Sequence, residues 1–307
     1  MSATSASDSV GLRHAAGAAF LTPNALALAS FGLAALHPLA ALLFGPLLLG
    51  VPHVLGDLRV LVLDGAWRGR RADLALLAAA LGGMFVARVA GLLSGAVQIE
   101  LELTLGLAAV AAGLHAAVRA GFPRFAALAL LLALAAPFAA APQHSLLVLG
   151  HLHNVLALGW CCAALRHSRA RWSLGALWLA AQAAIFAGAI ELPLDATLLG
   201  LSARDLAERL APSLGDVWAA RWLTSFAFAQ LFHYAAWIFL LPRLAGRRLF
   251  GEANSLGFAL SVGACVALPA AALFNAVAAR ELYLGAVSFH AWLELAVLAA
   301  LLGRRTL

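Results

Sequence analysis

Five histidines of this chain lie inside long apolar runs. His53 sits in GPLLLGVPHVLGDLRVLVL, His151 and His153 in SLLVLGHLHNVLALGW, His233 in FAFAQLFHYAAWIFLL and His290 in LYLGAVSFHAWLELAVL. Imidazole is the commonest metal ligand among side chains, and an ionisable group in hydrocarbon is costly unless it serves a task. Asp57 follows His53 by four residues and Glu294 follows His290 by four, so each carboxylate shares a helix face with its histidine. His151 and His153 point to different faces, and either is a candidate. Imidazole with carboxylate and no thiolate suits non-haem iron first, with zinc, manganese or copper also compatible. Asp57 and Glu294 would ligate the ion or orient an imidazole that does. Trp237, Phe289 and Trp292 stand close by in sequence and are expected to line an apolar substrate pocket.

These side chains need elements that carry them to one depth. The chain has 307 residues, is 64% hydrophobic and only 11% charged, with a mean hydropathy of +0.94. That composition excludes an ordinary soluble domain and predicts an all-α, polytopic transmembrane bundle. Apolar windows between charged or Pro/Gly breaks give about ten spans: 16–36, 39–63, 74–96, 99–118, 124–141, 144–165, 172–190, 217–242, 255–279 and 282–302.

Arginine placement then orients them. Arg68, Arg70 and Arg71 follow span 2, and Arg119 and Arg124 follow span 4. Arg166, Arg169 and Arg171 follow span 6; Arg243, Arg247 and Arg248 follow span 8; Arg304 and Arg305 follow span 10. All clusters fall on one side, which predicts both termini in the cytoplasm and, for a bacterial chain, an inner-membrane location. The net charge of +6 therefore reports topology and not a nucleic-acid partner. Residues 1–15 read as a disordered cytoplasmic tail and 16–307 as a single transmembrane domain. Its long external connection, 191–216, holds a short amphipathic helix that Ser202 and Asp205 could cap. Cys161, Cys162 and Cys265 lie in apolar runs and read as small apolar residues.

At about 1.5 Å of rise per residue, the five histidines fall within roughly a 9 Å layer near mid-bilayer. His115 is too near its basic end to join them, and Arg88 needs a buried partner, for which Asp57 or Glu294 would serve.

The segment GVPHVLGD resembles the GxPHGxxD motif of the Brp/Blh family of membrane-embedded, iron-dependent carotenoid dioxygenases. The resemblance implies an iron held by four histidines and a polyene substrate, β-carotene in that family, cleaved to retinal. It maps His53 onto the first ligand and GHLHN, with His151 and His153, onto the second. LFHYAAWIFLLPR resembles the later segment, where the family has two histidines four apart. Here the second of that pair is Trp237, Val54 stands where the family has Gly, and the His290/Glu294 pair would supply the missing ligand from another helix.

The expected function is an intramembrane, Fe(II)-dependent oxidoreductase or oxygenase acting on a lipid-soluble substrate such as a carotenoid or isoprenoid. A haem-binding electron-transfer or gas-handling protein is one alternative. A proton-coupled transporter using a His/Asp/Glu relay is another.

Overall fold

The computed structural model describes residues 22–58, 67, 71–95, 99–190, 192–212, 214–241 and 256–303. The expected tail at 1–15 and the clusters Arg243/Arg247/Arg248 and Arg304/Arg305 lie outside these residues, as do Arg68 and Arg70. The described chain is mostly helical. In order come α1 (Thr22–Leu36), α2 (Pro38–Asp57), α3 (Arg71–Ser94), α4 (Ile99–Arg119), α5 (Arg124–Ala140), α6 (Pro142–Ala164) and α7 (Ala170–Phe186). The connection after α7 forms a two-stranded antiparallel hairpin, β1 (Thr197–Leu198) and β2 (Leu201–Ser202), then α8 (Ala203–Leu210). The Ser202 hydroxyl accepts from the Asp205 N–H at 3.3 Å, capping α8. The chain ends in α9 (Asp216–Leu240), α10 (Leu256–Ala272), α11 (Ala276–Ala286) and α12 (Phe289–Leu301).

Among the described residues six helical stretches are long and apolar enough to cross a membrane: Pro38–Asp57, Arg71–Gly91, Ile99–Arg119, Leu147–Ala164, Asp216–Leu240 and Ala276–Leu301. This is the signature of an integral membrane protein. Thr22–Leu36, Arg124–Ala140 and Ser261–Ala272 are apolar but shorter.

One expected boundary moves. The break between the last two spans falls at Leu273–Asn275, not at 280–281, because the Asn275 side chain accepts from the Ala278 N–H at 2.9 Å and starts α11 there. In sequence Asn275 is a single polar residue in an apolar run and gives no period change. A second break at Val287–Ser288 separates α11 from α12, just before His290.

The site is held by a central helix and a close-packed seam. From Leu223 to Trp237 every side chain of α9 is buried, as expected of a helix apolar all round. α12 makes its largest contact with α4. There the Trp292 ring rests over Gly106, and the Ala296 backbone lies so close to Gly113 that a Cβ would strike its carbonyl. Small residues let backbones approach in this way when lipid offers no hydrophobic drive. α2 and α9 each contain one π-helical turn, Gly45–Leu49 and Ala236–Leu240. Pro46, inside the first of these turns, offers no N–H to the Leu42 carbonyl, which accepts from Arg280 Nε instead. Single π turns recur next to functional sites.

Candidate metal centre

Four helices bring one imidazole each to a common point. His53 comes from α2, His153 from α6, His233 from α9 and His290 from the first turn of α12. Their rings meet edge to face around a closed circuit. Centroids are 5.1 Å apart for His53–His233, 5.0 Å for His233–His153, 4.9 Å for His153–His290 and 4.9 Å for His290–His53. His233 and His290 face each other across it at 6.0 Å. Asp57 joins from one turn below His53, and ligating atoms of His53, Asp57, His233 and His290 all lie within 4.8 Å of one another. Glu294, one turn after His290, places Oε1 3.6 Å from His233 Nε2. His53, Asp57, His233 and Glu294 have no solvent exposure at all.

The polar atoms inside this group lack protein partners. Nε2 of His53 and His290, both ring nitrogens of His233, Nδ1 of His153 and all four oxygens of Asp57 and Glu294 are buried without a hydrogen bond. Meanwhile Nδ1 of His53 donates to the Gly50 carbonyl at 2.5 Å, and Nδ1 of His290 donates to the Val287 carbonyl at 2.5 Å. A backbone acceptor on Nδ1 fixes the tautomer that leaves the Nε2 lone pair free, which is the state a metal ligand needs. So many orphaned donor atoms in one place would destabilise the fold badly if nothing filled the gap. The His53, Asp57, His233 and His290 group can hold a metal ion, and the chemistry of the donor set fits one.

The remaining residues singled out in sequence go elsewhere. His151 leaves the layer: its ring packs against Trp222 and Phe226, and Nε2 donates to the Leu210 carbonyl at the end of α8, 3.1 Å away. Of the two α6 histidines, His153 therefore faces the group. Trp237 is fully buried beside Glu294. Trp292 is equally buried, wedged between Gly106 and the Phe138 ring in the α4–α12 seam. Phe289 lines an apolar groove of about 290 Å3 with Leu58, Leu77, Leu81 and Phe85.

Arg88 takes Glu102 as its partner at 3.1 Å, not Asp57 or Glu294. The choice follows from position, since α3 packs along α4. His115 donates to Asp73 at 2.7 Å.

Sequence reading passed over Tyr234 and Tyr283. Tyr234 lies 4.4 Å from the His53 ring, and the Tyr283 hydroxyl is 3.3 Å from His53 Nδ1. They are the chain's only tyrosines, and that rarity was the available signal.

Fold and site together define an integral membrane helical protein with a buried His/Asp group suited to a metal ion. Compared with known proteins, the chain matches no family model, no curated protein and no solved structure.

Proposed function

We propose that the protein is an intramembrane, metal-dependent oxidoreductase, an oxygenase using non-haem Fe(II) on a lipid-soluble substrate of carotenoid or isoprenoid type. One observation carries the reading. Four imidazoles and two carboxylates share a buried volume, the atoms that would ligate lack hydrogen-bond partners, and no arginine among the described residues reaches either carboxylate. One divalent cation would balance the charges of Asp57 and Glu294 with the histidines neutral. Nitrogen and oxygen donors without sulfur suit iron over the softer metals.

When bound, the iron would supply the redox chemistry towards dioxygen. His53, His153, His233 and His290 would hold it, and Asp57 and Glu294 would bind it or anchor the imidazoles. The buried faces of α2, α9 and α12 exclude water from the site, and Trp237 with Phe289 would present apolar surface to the substrate. About ten spans with both termini in the cytoplasm of a bacterial inner membrane complete the proposal, supported by the arginine clusters. Kinship with the Brp/Blh dioxygenases rests on GVPHVLGD alone. Haem is the weaker alternative, because rings touching edge to face at 4.9–5.1 Å leave no slot for a macrocycle between them.

Metal analysis and an absorption spectrum of detergent-purified protein test this directly. About one iron per chain without a Soret band is expected, and His53→Ala should lose at least ~10-fold in metal affinity. Full iron occupancy in that variant would overturn the assignment, and a Soret band would turn it towards haem.

A further inference from the structure

The donor group does not explain why the chain keeps two phenols beside it. It uses Phe sixteen times and Tyr twice, and a buried hydroxyl costs free energy unless something receives it. Both tyrosines are buried, and both lie on the same histidine. We propose that Tyr283, backed by Tyr234, is a positioning residue for His53, holding its ring so that Nε2 presents to the metal in one direction. The proposal rests on the metal-centre reading.

The geometry is specific to this pair of helices. Tyr283 belongs to α11, which contributes no donor of its own. Its ring covers Gly50 so closely that a Cβ at that position would strike the ring carbon bearing the hydroxyl. Gly50 stands three residues before His53, and its carbonyl is the acceptor for His53 Nδ1. The phenol thus crosses the glycine, and its oxygen lies beside the same Nδ1–H as a second acceptor, 3.3 Å away. Gly50 and Tyr283 are a matched pair, the one leaving the space that the other fills.

Tyr234, next in sequence to His233, tilts its ring at 39° against His53 and meets the Tyr283 phenol. One turn before Tyr283, Arg280 donates from Nε to the Leu42 carbonyl at 2.7 Å and fastens α11 to α2. His290 has a backbone acceptor of the same kind but, among the described residues, no phenol at its Nδ1. Outer partners of ligating histidines typically matter by 10- to 100-fold in metal affinity.

Cobalt(II) is the probe, because its d–d bands report ligand geometry. Full-length wild type, Tyr283→Phe and Gly50→Ala are purified in detergent, stripped of metal and titrated with cobalt(II). Tyr283→Phe keeps the ring and the packing and loses only the hydroxyl, so an unchanged melting temperature is expected. Its cobalt affinity should fall about 10-fold, with displaced d–d bands. Gly50→Ala keeps the phenol but pushes it aside, and should displace the bands in the same way. It supplies the reading if Tyr283→Phe does not fold. Wild-type bands and affinity in a folded Tyr283→Phe or Gly50→Ala would show that Tyr283 only fills space, and would overturn the proposal while leaving the metal centre standing. No cobalt bound by wild type would overturn the metal centre and this inference with it.

Discussion

Glu102 and Asp57 are both carboxylates buried in membrane-type helices, 5% and 0% exposed, yet they are treated in opposite ways. Glu102 faces Arg88 across the α3–α4 contact at 3.1 Å. Asp73, also buried, has His115 at 2.7 Å and Arg119 at 3.8 Å. At the centre, Asp57 has no hydrogen-bond partner and Glu294 has His233 at 3.6 Å. The half-buried Arg88 and the buried Arg280 pair elsewhere, Arg88 with Glu102, and Arg280 with the Leu42 carbonyl and Glu281. A buried carboxylate without a counter-charge is strongly unfavourable. Where the fold alone must balance the charge, it supplies a cation. Where it does not, the counter-charge is expected from outside.

The sharpest way to break this comparison is to neutralise each side in turn. Asp57→Asn with Glu294→Gln removes the two buried carboxyl groups that have no cation partner while keeping shape. Metal affinity should fall by more than ~10-fold, and the metal-free protein should melt at a higher temperature than metal-free wild type, since no ionisable carboxyl is then left buried without a counter-charge. Isothermal titration and a thermal melt in the same detergent read both signs. Unaltered metal binding would mean that the carboxylates serve something else.

Glu102→Gln should do the reverse. Arg88 loses its charged partner and the melting temperature should fall, while metal content stays at the wild-type level. Loss of metal in this variant would erase the distinction between the two regions.

How much of this was legible in the sequence follows from the kind of information each feature needs. Helicity and the pairing of Asp57 with His53 and Glu294 with His290 follow from local period and spacing, and the structure places all four together. The choice of His153 over His151 depends on how α6 is rotated against α8 and α9, which no local pattern encodes. The Arg88 partner likewise depends on which helices are neighbours. Tyr283 was missed because it acts through Gly50, 233 residues away, and each alone looks like ordinary packing. Asn275 was read as a polar residue within a span because its capping role shows only in the bond to Ala278.

His151 gives the smallest and most local test. It stands two residues from His153 on α6, and a sequence reading cannot separate them. Its Nε2 bonds the last carbonyl of α8, and its ring sits between Trp222 and Phe226. Its role in this arrangement is to fasten α8 to α6. His151→Phe keeps the aromatic packing and removes one hydrogen bond to an otherwise open helix end, at about 0.5–1.5 kcal/mol. Faster hydrogen exchange at α8 is expected, with metal stoichiometry unchanged. If the variant instead lost metal as His53→Ala should, His151 would belong with the ligands, and the contrast between a self-balanced periphery and an open centre would have to be redrawn one helix turn wider.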